Sequence, residues 1–131
     1  METSNRSKVR IVVADDNHDA AMMLSRGLDL SGFQVVATVH DGESAVSAIQ
    51  RERPDVAVLD IGMPLLTGYE VARRIRDNAS APQPKLIAVT GWGNPLDRAT
   101  AEAAGFDAHL VKPIALDKLE EAVLAFTGPG R

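Results

Sequence analysis

Apolar residues recur along this chain in two alternating rhythms. Val9-Arg10-Ile11-Val12-Val13-Ala14 is a short, nearly unbroken apolar run, the pattern of a strand covered on both faces. From about His18 to Ser31 the rhythm lengthens, with Ala21, Leu24 and Leu28 at helical spacing and Gly32 as a stop signal. Gln34 to Val39 returns to strand character. Asp41 supplies a cap for a helix through about Arg51, with Ala45, Val46 and Ile49 facing inward. Pro54 closes that unit, and Asp55 to Leu59 predicts a third strand. Helices are predicted from about Gly68 to Asp77, with Val71 and Ile75 one turn apart, and from the Asn94-Pro95 cap to near Gly105. The fourth strand lies between them, over Lys85 to Val89, and the fifth is Ala108 to Val111. A last helix carries Leu116, Leu119, Val123 and Phe126 on one stripe and stops at Gly128. Met22 and Met23 are read as core and rim of the first helix.

A β-α unit repeated five times has few solutions. Parallel strands require crossovers, crossovers are right-handed, and the helices therefore cover both faces of one sheet. The expectation is a single doubly wound α/β domain over residues 8–126, with a disordered tail at 1–7 and another tail at 127–131. Strand order does not follow from periodicity.

Composition narrows the function classes. The chain has 131 residues, 45% apolar and 24% charged, the balance of a globular protein with one core. It has no cysteine, which excludes disulfide scaffolds, zinc ribbons and thiol chemistry. A net charge of −4 argues against nucleic acid or an anionic membrane as a direct partner. No apolar run approaches a membrane span and the opening residues carry no signal core, so a cytoplasmic protein is expected.

In a doubly wound sheet, functional groups gather beyond the carboxyl ends of the strands. Asp15 and Asp16 follow the first apolar run, Asp60 the third, Thr90 and Gly91 the fourth, and Lys112 and Pro113 the fifth. Taken singly, each is an ordinary turn former, cap or surface residue. Together they place three carboxylates, a hydroxyl and an ammonium on one rim. Crowded carboxylates repel unless something positive neutralises them, and oxygen donors of this kind suit Mg²⁺. His18 and His40 have no further ligand at metal spacing, and no site is assigned to them.

These residues carry a resemblance. Val12-Val13-Ala14-Asp15-Asp16, Leu59-Asp60-Ile61-Gly62-Met63-Pro64 with Thr67-Gly68-Tyr69-Glu70, Ala88-Val89-Thr90-Gly91 and Leu110-Val111-Lys112-Pro113 stand in the order and spacing of a response regulator receiver domain. The chain is similar to that CheY-like superfamily of two-component signalling over residues 8 to 126. The resemblance implies a flavodoxin-like strand order, 2-1-3-4-5. It implies that Asp60 accepts a phosphoryl group from a histidine kinase or histidine phosphotransfer protein. Asp15, Asp16, Asp60 and the Gly62 carbonyl would hold Mg²⁺, Thr90 would hydrogen-bond a phosphoryl oxygen, and Lys112 would pair with another. Such a protein is a signalling switch that assists its own phosphotransfer and dephosphorylation rather than an enzyme. Its output is a changed surface on the fourth helix, fifth strand and fifth helix, read by an output protein that the sequence does not name. Relatives often form homodimers there. The Ala104–Pro113 stretch most resembles receivers attached to hybrid histidine kinases.

The resemblance implies a cis Lys112-Pro113 bond, whereas the sequence alone favours an ordinary trans proline opening the last helix. The switch position three residues before the lysine, commonly tyrosine or phenylalanine in relatives, is His109 here, a smaller and more polar side chain. Gly62 and Trp92 stand two residues beyond Asp60 and Thr90, where relatives modulate the lifetime of the acyl phosphate. Other readings fit less well. A haloacid-dehalogenase-like phosphatase needs an aspartate where Gly62 stands. A flavodoxin would place a Ser/Thr-rich phosphate loop where Asp15-Asp16 would repel it. Gly91-Trp92-Gly93 lacks the third glycine of a dinucleotide fingerprint. A phosphorylation-independent interaction module is the remaining alternative.

Overall fold

The computed structural model describes residues 6–78, 81–91 and 98–127. Its five strands are β1 (Arg10–Ala14), β2 (Gln34–Val39), β3 (Val56–Asp60), β4 (Lys85–Thr90) and β5 (Ala108–Val111). Among the described residues five helices alternate with them: α1 (His18–Leu30), α2 (Gly42–Glu52), α3 (Gly68–Asp77), α4 (Arg98–Ala104) and α5 (Leu116–Thr127). Every pairing is parallel and the order is β2-β1-β3-β4-β5, the flavodoxin-like arrangement. No described helix is long and apolar enough to cross a membrane.

Strand alternation divides the core into two layers. Val12, Ala14, Ala57, Leu59 and Leu86 point to one face, where Ala45 and Ile49 of α2, Val71 and Ile75 of α3 and Ala104 of α4 cover them. Ile11, Val13, Val56, Val58, Ile87 and Val89 point to the other, against Ala21 and Leu28 of α1 and Leu119 and Val123 of α5. A strand covered on both sides cannot use alternate polar residues, which is why the runs read as continuously apolar.

Helix starts follow side-chain chemistry. Asn17 accepts a hydrogen bond from Ala20 N at 3.0 Å, and Asp41 accepts one from Ser44 N at 2.7 Å. Thr67 and Glu70 form a reciprocal capping box on α3. Gly105 ends α4 at φ 106°, in the left-handed region that glycine occupies without strain.

Two tight junctions fix the loops. Gly42 N donates to Pro64 O at 3.1 Å, and a Cβ on Gly42 would lie only 2.2 Å from Leu66 O, so the start of α2 abuts the β3–α3 loop backbone to backbone. At the opposite edge of the sheet, Arg76 spends all five guanidinium N–H groups. It donates to Gly105 O from Nε at 3.0 Å and from Nη2 at 2.8 Å, to Asp107 Oδ2 at 2.8 Å, to Gln83 Oε1 at 2.9 Å and to Pro84 O at 2.8 Å. The end of α3, the entry to β4 and the α4–β5 turn are thereby tied together.

Some expectations shift. Val9 and Asp55 precede rather than open their strands, while Asp60 and Thr90 are the last residues of theirs, because the ladder runs to the pairs Asp60–Val89 and Thr90–Val111. Met22 and Met23 are 64% and 75% exposed, which corrects their reading as core and rim. The buried stripe of α1 is Ala21, Leu24 and Leu28, and the two methionines stand one and two residues round the helix from it. The Asn94-Pro95 start, Trp92 and the Gly128 stop lie outside the described residues.

Candidate functional site

Parallel pairing brings the carboxyl ends of β1, β3, β4 and β5 to one rim, and the backbone holds each functional residue there. Asp15 N donates to Val39 O at 3.1 Å, Ile61 N to Val89 O at 3.0 Å and Lys112 N to Thr90 O at 2.7 Å. These bonds extend the ladders one residue beyond the strands and aim the following side chains into a shared cup. β1 and β3 are neighbours while the chain between them crosses to β2, so the cup sits where the strand order reverses.

Asp15, Asp60 and Thr90 are the buried polar side chains among the described residues, at 1%, 6% and 2% exposure. Asp16, next to Asp15, is exposed. One carboxylate oxygen from each of Asp15, Asp16 and Asp60 lies within 4.8 Å of the others. The Lys112 ammonium reaches over this cluster, 2.9 Å from Asp15 Oδ2 and 3.6 Å from Asp60 Oδ2. It therefore leans on Asp15 more than on Asp60. Asp15 Oδ1 accepts from Asn17 N at 2.9 Å, and Asp60 Oδ1 accepts from Gly62 N at 3.3 Å. The Lys112–Pro113 peptide bond is cis.

The electrostatics follow from this crowding. Burial, then the Asp15 charge, push the Asp60 carboxyl up to about 6, against the pull of Lys112 and the Gly62 N–H. Burial works against a charged Lys112, but its 2.9 Å contact with the Asp15 carboxylate and the charges of Asp60 and Asp15 prevail and hold its ammonium above the usual lysine range. Asp15 Oδ2 is buried, and although ion-paired to Lys112 it makes no hydrogen bond of good geometry. A buried carboxylate oxygen without a hydrogen bond, on a residue clustered with two other carboxylates, fits a hard divalent cation with oxygen preference. The group can thus bind a metal through Asp15, Asp16 and Asp60.

Other expected positions are placed nearby with less density of contact. His109 is half-buried on β5 opposite Ala88, which by alternation shares the sheet face of Thr90. It lines a cleft of about 120 Å³ with Arg98, Ala101 and Glu102 of α4 and Phe106. Gly91 borders the Lys112 stem, where an added Cβ would lie 3.4 Å from Cδ.

Two neighbouring features escaped the sequence. The rings of His18 and His40 stack at 3.6 Å between centroids, and His40 Nδ1 hydrogen-bonds Asp15 O at 3.0 Å. Only the adjacency of β1 and β2 brings these histidines together, so spacing carries no sign of it. Beside Lys112, a groove of about 430 Å³ opens between α1 and the residues after β5.

Comparison with known proteins adds an independent observation. The family model described as response regulator receiver domain matches residues 11–124. The chain is 40% identical over 116 residues to the transcriptional regulatory protein PrrA of Mycobacterium tuberculosis, covering 88% of this chain and 48% of that protein. It is 36% identical over 119 residues to a probable transcriptional regulator, ycf27, of Guillardia theta, covering 91% of the chain and 45% of the relative. The chain thus spans about half the length of these curated relatives, which are transcriptional regulators rather than hybrid kinases. Among solved structures, it superposes on the signal receiver domain of the response regulator NarL from Mycobacterium tuberculosis with TM-score 0.83 and 31% identity, covering 95% and 98% of the two chains.

Proposed function

The chain belongs to the response regulator receiver domain family, whose general role is a phosphorylation switch, and from that premise we propose that Asp60 is its phosphoacceptor. The observation that carries this reading is the convergence of the Asp15, Asp16 and Asp60 carboxylates under one ammonium, with Asp60 buried and its pKa pushed up to about 6 by that burial. The donor in this reading is a phosphohistidine on a histidine kinase or phosphotransfer protein. An Asp60 oxygen attacks phosphorus, the P–N bond breaks, and the electron pair returns to the imidazole.

Each neighbour has a task that its position suits. Asp15, Asp16 and the Gly62 carbonyl, with Asp60, would hold Mg²⁺. The bound cation supplies positive charge that screens the carboxylates from one another and from the arriving phosphoryl group. Thr90, at the end of β4, would donate its hydroxyl to one phosphoryl oxygen, and Lys112 would pair with another. Charge arithmetic explains why all are needed: phosphorylated Asp60 carries about −2 and Asp15 with Asp16 another −2, against +1 from Lys112. Without the cation the cup holds about −3, and with it about −1.

In this reading the output is conformational. Engagement of Thr90 by the phosphoryl group opens space on the sheet face it shares with His109, biasing the surface formed by α4, β5 and α5 between two states. The relatives' names make a regulator of transcription the leading setting for that output.

Incubation with a small phosphodonor and Mg²⁺ tests the assignment by intact mass. Wild type should gain one phosphoryl group. Asp60→Asn should gain none while keeping its circular dichroism, and chelator should abolish labelling of wild type. Labelling of Asp60→Asn to the wild-type extent would refute the acceptor assignment. A folded wild type that no donor labels would favour a phosphorylation-independent interaction module.

A further inference from the structure

The outer surface of α1 carries a stripe that the fold leaves uncovered. Asp19, Met22, Met23 and Arg26 are all exposed, Met22 at 64% and Met23 at 75%. At about 100° per residue the four fall within an arc of about 100°, with Asp19 and Arg26 along its middle and one methionine on each flank. Met22 borders a cleft of about 450 Å³ with Ser25 and Thr38, and Met23 borders the groove of about 430 Å³ with Pro113 and Ile114. The helix therefore stands as a ridge between two hollows, with an adaptable thioether side chain at the edge of each. Among the described residues neither Asp19 nor Arg26 has an ion-pair partner. Asp29, three residues beyond Arg26, accepts instead from Val35 N at 3.2 Å.

From Asp19 to Arg26 the stripe runs acid, apolar, apolar, base, and in the opposite direction it runs base, apolar, apolar, acid. Such an order is complementary to itself. A second copy laid antiparallel, on a two-fold axis midway between Met22 and Met23, sets each Asp19 at the height of the partner subunit's Arg26. The methionines then meet their counterparts at the centre, and the two ion pairs flank them. We propose that α1 is a self-association surface through which two copies of this chain pair antiparallel. The interface is separate from the α4, β5 and α5 surface and is independent of the phosphoacceptor assignment. Covering the methionines removes exposed apolar area, and the ion pairs fix direction and register. One helix stripe from each copy buries roughly 1,000 Å² in total, below the usual range of stable complexes. The dimer is accordingly weak and reversible, with a Kd on the order of 100 µM.

Sedimentation equilibrium of the whole chain in low salt, from about 10 µM to about 1 mM, tests this. Wild type should show a monomer–dimer equilibrium that weakens as salt is raised. The two-fold repeats every contact, so Asp19→Arg, and separately Arg26→Asp, introduces two like-charge pairs and should weaken dimerisation about tenfold. Mixed in equal amounts, these two variants should associate with each other at about wild-type strength, because each carries the charges that the other lacks. Both substitutions are at exposed positions, and circular dichroism checks that the variants stay folded. A second arm uses the absence of cysteine from the chain: a short bismaleimide should join Met23→Cys into a covalent dimer. Wild type that stays monomeric throughout the range overturns the proposal, as does a dimer that either charge variant retains. A mixture no more associated than its components overturns it too, and so does an associating Met23→Cys that the bismaleimide fails to join.

Discussion

Replacing Asp60 by asparagine should make the metal-free protein more stable, by an amount that depends on pH in a definite sense. The Asp60 carboxyl is buried beside Asp15, and its pKa rises from 3.8 to about 6 on folding. An acid with a raised folded pKa binds its proton more tightly in the native state, so folding is opposed once the proton is lost. Below about pH 4 both states are protonated and Asp60 contributes nothing. Between pH 4 and 6 the unfolded chain ionises first and stability falls. Above pH 6 the full penalty stands, about 3 kcal/mol for a shift of this size. With the side chain 8% exposed, solvent screening removes only part of that. Asparagine keeps an acceptor oxygen for the Gly62 N–H and carries no charge to desolvate. Urea denaturation in chelator, repeated from pH 4 to 8, measures the difference. The two proteins should agree at the acid end and separate to about 2–3 kcal/mol at pH 7.5, with Asp60→Asn higher in midpoint and unchanged in slope. In a domain of this size that gap is roughly 10 °C in melting temperature. Millimolar Mg²⁺ should narrow the gap, because it stabilises the wild-type carboxylates through binding. Parallel pH curves, or a variant less stable than wild type at pH 7.5, would refute the claim that these carboxylates repel in a desolvated cup.

Further outcomes follow from the same contacts. Lys112→Met strips the buried Asp15 carboxylate of its 2.9 Å cation and should cost about 1–2 kcal/mol at neutral pH in denaturant titration, while slowing Asp60 labelling sharply. Gly42→Ala drives a methyl into the Leu66 carbonyl and should cost about 3 kcal/mol or require the β3–α3 loop to shift, read by thermal melting and by amide exchange in that loop. Arg76→Ala removes five hydrogen bonds to four acceptor atoms and should cost about 2–3 kcal/mol. Arg76→Lys should recover little of this, because an ammonium cannot span the Gly105 and Pro84 carbonyls together.

The fold and the cup were legible for one reason: in a parallel sheet the chemistry stands at the carboxyl ends of apolar runs, and those runs were unambiguous. Asp15, Asp16, Asp60, Thr90 and Lys112 could be gathered onto one rim without knowing strand order. Their division of labour was not legible. Adjacent aspartates give no sign that Asp15 is buried and Asp16 exposed, since that depends on how the Asp15 N–H is drawn onto Val39. Nor does sequence tell that Lys112 leans toward Asp15. The methionines of α1 misled for a different reason: Met is apolar in composition but adaptable in place, and here Met22 and Met23 lie off the Ala21–Leu24–Leu28 stripe. The Arg76 ties, the histidine stack and the apolar groove all join residues distant in sequence, and no local periodicity registers them.

The junction of Gly42 with the β3–α3 loop has a mechanical meaning beyond its sterics. Most neighbouring elements in a protein meet through side chains, whose rotamers act as cushions and dissipate small displacements. Here main chain rests on main chain with nothing compressible between, six residues downstream of Asp60. A nudge to that loop reaches α2 undamped, as motion passes between meshed gears, so α2 is rigidly geared to events beside Asp60 even though it carries none of the cup's charged groups.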